Sequence, residues 1–70
     1  MKLTVNGQQR ECDAANLTDL WRSETADLDV ASPRGFAISL NGIVVRRTEW
    51  PTTQLRDGDA VEIIRGMSGG

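Results

Sequence analysis

The sequence closes on Gly69-Gly70, and a glycine pair in that position is a chemical handle. With no Cβ on either residue, such an end threads a narrow channel, adopts φ values that other residues avoid, and leaves its carbonyl open to a nucleophile. At an average glycine usage of about 7%, chance would place this pair there about once in 200 chains. The other groups with chemical potential compare poorly. Cys12 is the one thiol, and a persulfide on it is conceivable, but the chain has no histidine and no C-x-x-C pair to activate it. A lone cysteine at a strand end reads as a small packing residue. Asp57 and Asp59 flank Gly58, a pattern that makes a turn far more often than a cation site. Arg46-Arg47 offers two charges that would suit an acidic partner or, on an edge strand, stay solvated and discourage aggregation.

Composition narrows the classes further. One cysteine and no histidine exclude an internal disulfide and a structural zinc site of Cys and His ligands, so no metal is expected. A formal net charge of −2 speaks against a nucleic-acid binder. The opening Met1-Lys2-Leu3-Thr4-Val5 runs straight into a strand pattern with no signal-peptide segment, and no stretch approaches the roughly 20 apolar residues of a membrane span. A cytoplasmic protein without a membrane partner is the expectation. Seventy residues support one core.

The elements that must carry the terminal glycines follow from periodicity. Lys2 to Val5 alternates as a half-buried strand, Asn6-Gly7 is a hairpin turn, and Gln8 to Cys12 is a polar return strand. Asn16 is a helix cap, with Asp19 in the first turn of a helix over about 17–25. Its apolar stripe takes in Leu17, Leu20, Trp21 and, farther along, Leu28. Residues 27–35 form a loop. Phe36, Ile38 and Leu40 share one face of a third strand, and Asn41-Gly42 turns it into a fourth over Ile43 to Arg47. Thr48 to Pro51 leaves the sheet, with Trp50 as a plug beneath a loop. Arg56-Asp57-Gly58-Asp59 turns into a last strand, Ala60 to Arg65. The order β-β-α-β-β-β predicts an α+β domain over residues 1–65, a mixed sheet with one main helix on one face. Gly66, Met67, Ser68, Gly69 and Gly70 would form a flexible tail.

Leu40-Asn41-Gly42-Ile43-Val44-Val45-Arg46-Arg47-Thr48-Glu49-Trp50, Leu55 to Ile64 and the terminal Gly69-Gly70 together resemble the sulfur-carrier proteins of thiamine biosynthesis, the ThiS family. About half the chain carries the likeness closely; from Cys12 to Arg34 only the layout agrees. Members often have proline where this chain has Arg46, a departure on the expected edge strand. The resemblance implies a ubiquitin-like β-grasp fold with the first and last strands side by side. It also implies that the Gly70 carboxylate is adenylated by an E1-like partner enzyme, becomes a thiocarboxylate, and passes sulfur to thiazole synthase. A cysteine desulfurase or sulfurtransferase would supply the sulfur. No catalytic residue of the chain itself is implied.

Activation is needed because attack on a carboxylate adds charge to an anion, whereas an acyl adenylate has a leaving group. The chain holds neither G-x-x-x-x-G-K-[ST] nor G-x-G-x-x-G, so the ATP is expected on the partner and the chain acts as its macromolecular substrate. Other readings share the layout. They are the small subunit of molybdopterin synthase, a sulfur carrier for cysteine synthesis, a ubiquitin-like protein modifier, and a β-grasp adaptor with an inert tail. For partner contact, alternation that turns Val61 and Ile63 to the helix turns Ile64 to the open sheet face, unless the sheet coils and buries it. Ile64, Arg46 and Arg47 are the candidate contacts.

Overall fold

The structure, a computed structural model, describes residues 1–30 and 32–66. Strands β1 (Lys2–Val5), β2 (Gln8–Glu11), β3 (Phe36–Leu40), β4 (Ile43–Val45) and β5 (Ala60–Arg65) form one sheet in the order β2-β1-β5-β3-β4. β1 and β5 run parallel, with Thr4 opposite Ala60 and Val5 opposite Val61. The other neighbours are antiparallel. This is the mixed five-stranded sheet with one helix expected of a β-grasp domain, and its first and last strands lie side by side.

The helix α1 (Leu17–Glu24) starts where the sequence says it should, with the Asn16 side chain accepting from the Asp19 amide at 2.9 Å. Its N-terminus is also tied to a distant segment: Leu17 N–H donates to the Thr53 carbonyl at 3.3 Å and Leu55 N–H to the Ala15 carbonyl at 3.0 Å. The helix stops at Thr25, whose hydroxyl donates to the Trp21 carbonyl at 2.7 Å. Leu28 therefore falls beyond the helix and is 43% exposed, so it does not extend the apolar stripe.

Both Asn-Gly pairs make hairpin turns with positive φ at each residue, Asn6 at 50° with Gly7 at 82° and Asn41 at 52° with Gly42 at 87°. Their amide side chains reach past the turn to β5. Asn6 Oδ1 accepts from the Ile63 amide at 2.8 Å, and Asn41 Oδ1 from the Ala60 amide at 2.9 Å. The Asp57-Gly58-Asp59 turn is fastened the same way. Asp57 accepts from the Lys2 amide, and Asp59 accepts from the Arg56 amide and from Asn41 Nδ2. Both carboxylates are occupied by turn bonds, as the turn reading of this motif requires.

The fourth strand is shorter than its apolar run suggests. It ends at Val45, and residues Arg47–Thr52 form a 3₁₀ turn that periodicity does not reveal. The Val45 carbonyl accepts the Trp50 indole N–H at 2.9 Å, and the Arg46 carbonyl accepts the Glu49 amide at 2.8 Å. With both acceptors taken by the turn, no ladder continues. Arg46 and Arg47 are thus not edge-strand residues: Arg46 leads into the turn and Arg47 begins it.

The buried core collects Leu3 and Val5 from β1, Leu17, Leu20 and Trp21 from α1, Ile38 from β3, Val61 from β5, and Trp50 and Leu55 from the intervening segment. Trp50 is 2% exposed and is the largest wholly enclosed side chain. Cys12 sits half-buried against this cluster. Among the described residues no helix is long and apolar enough to cross a membrane.

Candidate functional site

Strand alternation and register define two faces. Leu3, Val5, Ile38, Val61 and Ile63 turn toward α1, where they are buried or half-buried. Thr4, Ala37, Ser39, Val44, Glu62 and Ile64 turn to the face without a helix. There Ile64 stands directly opposite Ala37, and Val44 opposite Ser39. Ile64 is 47% and Val44 73% exposed. The alternative in which coiling buries Ile64 does not occur.

Ile64 and Ala37 thus make a small apolar pair across two strands, at the end of the sheet where β5 finishes, while Val44 lies one row back, in line with Ser39 and Glu62. Arg46, exposed and extended (φ −61°, ψ 141°), lies one residue beyond Val45, so alternation carries it to the same side as Val44. Of the three candidate contacts, Ile64 and Arg46 share this face, while Arg47 is drawn into the 3₁₀ turn. Sequence reasoning did not single out Val44. Ile43-Val44-Val45 is apolar throughout, so it carries no alternation, and only the pairing of Ser39 with Val44 says which member faces out.

Gly66 N–H donates to the Gly35 carbonyl at 3.1 Å, so the residue expected to open the tail is bonded to the domain. Met67, Ser68, Gly69 and Gly70, which carry the expected flexible segment and the carboxylate expected to react, lie outside the described residues.

Cys12 lines a shallow groove between β2 and α1 together with Arg10 and Glu24. Arg10 and Glu24 pair at 2.7 Å across it. Among the described residues there is no group of three or more His, Cys, Asp or Glu side chains placed to hold a metal. The described residues offer the end of a sheet and, beside it, a face that carries Ile64 and Arg46.

The sheet and its helix define a ubiquitin-like β-grasp domain, and comparison with known proteins makes the assignment specific. The ThiS family model matches residues 3–70, and the chain belongs to the ThiS family. The crystal structure of the thiamine biosynthesis protein ThiS from Geobacter metallireducens is 40% identical, with each chain covered over 100% of its length and a TM-score of 0.73. A solution NMR structure of a thiamine biosynthesis protein from the same organism is also 40% identical, covering 100% of this chain and 88% of that one at a TM-score of 0.69. Among curated proteins no significant match is found.

Proposed function

We propose that this chain is a sulfur carrier for thiamine biosynthesis, working in the cytoplasm on the carboxylate of Gly70. The observation that carries the reading is the family match, which extends through the terminal Gly69-Gly70. The Gly70 carboxylate attacks the α-phosphorus of ATP held by an E1-like adenylating enzyme, and pyrophosphate departs. The outer sulfur of a persulfide on a cysteine desulfurase or sulfurtransferase then attacks the acyl carbon and displaces AMP, and a thiol cleaves the resulting acyl disulfide, leaving the thiocarboxylate and a new disulfide. The terminal carbon is left with one oxygen and one sulfur. Thiazole synthase accepts that sulfur for the thiazole ring. The chain is a co-substrate rather than an enzyme, and its folded part serves to be recognised.

The test is the intact mass after incubation with ATP, the adenylating enzyme and a sulfur donor. One oxygen should be replaced by sulfur, and tandem mass spectrometry should place it on Gly70. Sulfur found on Cys12 instead would sink the carboxyl-terminal mechanism.

Recognition is assigned to the helix-free face around Ile64, with Arg46 beside it. Ile64 is half-exposed, only two residues from Gly66, and makes no part of the buried core. Ile64→Asp should weaken binding to the adenylating enzyme by about tenfold or more. Stability should fall by no more than about 1 kcal/mol, the span of strand preference. Titration calorimetry and a thermal melt read the two quantities separately. A collapse of stability with unchanged affinity in the remaining folded fraction would place Ile64 in the core and remove it from the docking face.

A further inference from the structure

The sheet hands the chain to its tail through a defined junction. Arg65 is the last paired residue of β5, opposite Phe36, and the Gly66 amide is then caught by the Gly35 carbonyl at 3.1 Å. Gly66 has φ +94° and Gly35 φ +85°. A Cβ built on either glycine meets no heavy atom of the described residues within 4 Å. Space is therefore not what selects glycine at position 66. The left-handed backbone is, since an L-residue there crowds its own carbonyl.

The junction is also braced from the helix side. The Arg65 guanidinium lies over the Phe36 ring, 5.6 Å from its centroid. Phe36 in turn meets Trp21 edge to face, with centroids 5.5 Å apart and planes at 78°. Trp21 belongs to α1 and is 7% exposed. A series of packed side chains thus ties the root of the tail to the helix.

We infer that Gly66 is a positioning residue. Its positive φ, pinned by the bond to Gly35, sets the direction in which the chain leaves the sheet and hence where Gly70 arrives in the adenylating partner. The inference rests on the carrier reading above. Four residues follow Gly66 and span at most about 14 Å when extended. Once a partner channel holds these residues extended, a change of exit direction by about 30° would move their end by about 7 Å, whereas reacting groups tolerate displacements of only about 1 Å. An exit held at the right angle spares the partner a search. An exit at the wrong angle leaves docking on the sheet face intact but carries the carboxylate away from ATP.

The experiment compares chemically synthesised full-length chains carrying glycine, L-alanine or D-alanine at position 66 with the recombinant variant Gly66→Asn. Pyrophosphate release by the adenylating enzyme is measured as kcat and KM, at a temperature where circular dichroism shows every chain folded. D-alanine adopts positive φ freely, and asparagine tolerates it better than L-alanine despite a larger side chain. D-alanine should keep kcat within about twofold of glycine. Gly66→Ala in the L form should lower kcat by about tenfold or more at nearly constant KM, and Gly66→Asn should fall between. Equal losses for L- and D-alanine, with asparagine worse than both, would overturn the proposal and show that the partner channel excludes any Cβ. Full activity in all four would overturn it too. An unsubstituted chain that releases no pyrophosphate would instead remove the carrier reading, and this inference with it.

Discussion

Removing Gly69 and Gly70 will abolish acquisition of sulfur and leave the unfolding curve of the domain in place. The shortened chain still ends in a carboxylate, now on Ser68, so the chemistry of the group is unchanged. What changes is its reach, by about 7 Å for two extended residues. Displacement of a reacting group by about 1 Å already costs on the order of a hundredfold in rate, so the product should fall to background. The buried core runs from Leu3 to Val61 and loses nothing. The unfolding free energy should therefore stay within about 0.5 kcal/mol of the full-length value. Intact mass after reaction and a urea titration followed by circular dichroism measure the two sides. A truncated chain that still gains sulfur on its new terminus would show that the diglycine end is not the reactive element.

The largest loss of stability is expected from Trp50→Ala. Trp50 is 2% exposed, packs near Trp21 with ring centroids 6.5 Å apart, and donates its indole N–H to the Val45 carbonyl at 2.9 Å. Emptying the site should cost about 3–5 kcal/mol. A core of this size supplies no more than about 3–5 kcal/mol in total, so the two ranges cancel and about half of the molecules or more should be unfolded at 25 °C. Trp50→Phe separates packing from the hydrogen bond. It keeps a ring but leaves the Val45 carbonyl without its donor, a loss of about 1–3 kcal/mol, or about 4–8 °C in melting temperature for each kcal/mol. Trp21 is the control, because its indole nitrogen is buried without a partner among the described residues. Trp21→Phe forfeits area but no hydrogen bond and should be the milder of the two phenylalanine variants. The reverse order in thermal melts would show that the Trp50–Val45 bond does not anchor the turn.

Much of this architecture is legible in the sequence because its signals are local. Alternation marks Lys2 to Val5 and Phe36 to Leu40, Asn-Gly marks two hairpins, and Asn16 with Asp19 marks the start of the helix. What escapes is set by contacts between distant residues. Arg47–Thr52 has no period of its own, and its 3₁₀ form depends on the Trp50 bond that also ends β4 at Val45. Leu28 has the right spacing for the helix but follows a Thr25 cap that spacing alone does not weigh. On the helix-free face, Ile64 is given by alternation and Val44 only by register. For the proposed reactive end the sequence is the source, since Gly69-Gly70 lies outside the described residues and is singled out by composition.

The two Asn-Gly turns will not age alike. Asparagine before glycine is the pair most prone to cyclise and hydrolyse, which turns the amide into a carboxylate. Asn6 uses its side chain only as an acceptor, for the Ile63 amide, and a carboxylate oxygen can take the same bond. Asn41 also donates, from Nδ2 to Asp59 Oδ1 at 3.1 Å. Deamidation there would set two anions face to face at the junction of β3, β4 and β5, where like charges at such a distance repel. Where hydrolysis leaves aspartate rather than the backbone-lengthening isoaspartate, the chemical lifetime of the domain is therefore written into one side chain more than the other: the bond at Asn6 survives the change, while at Asn41 the change loads repulsion onto the corner that starts the last strand.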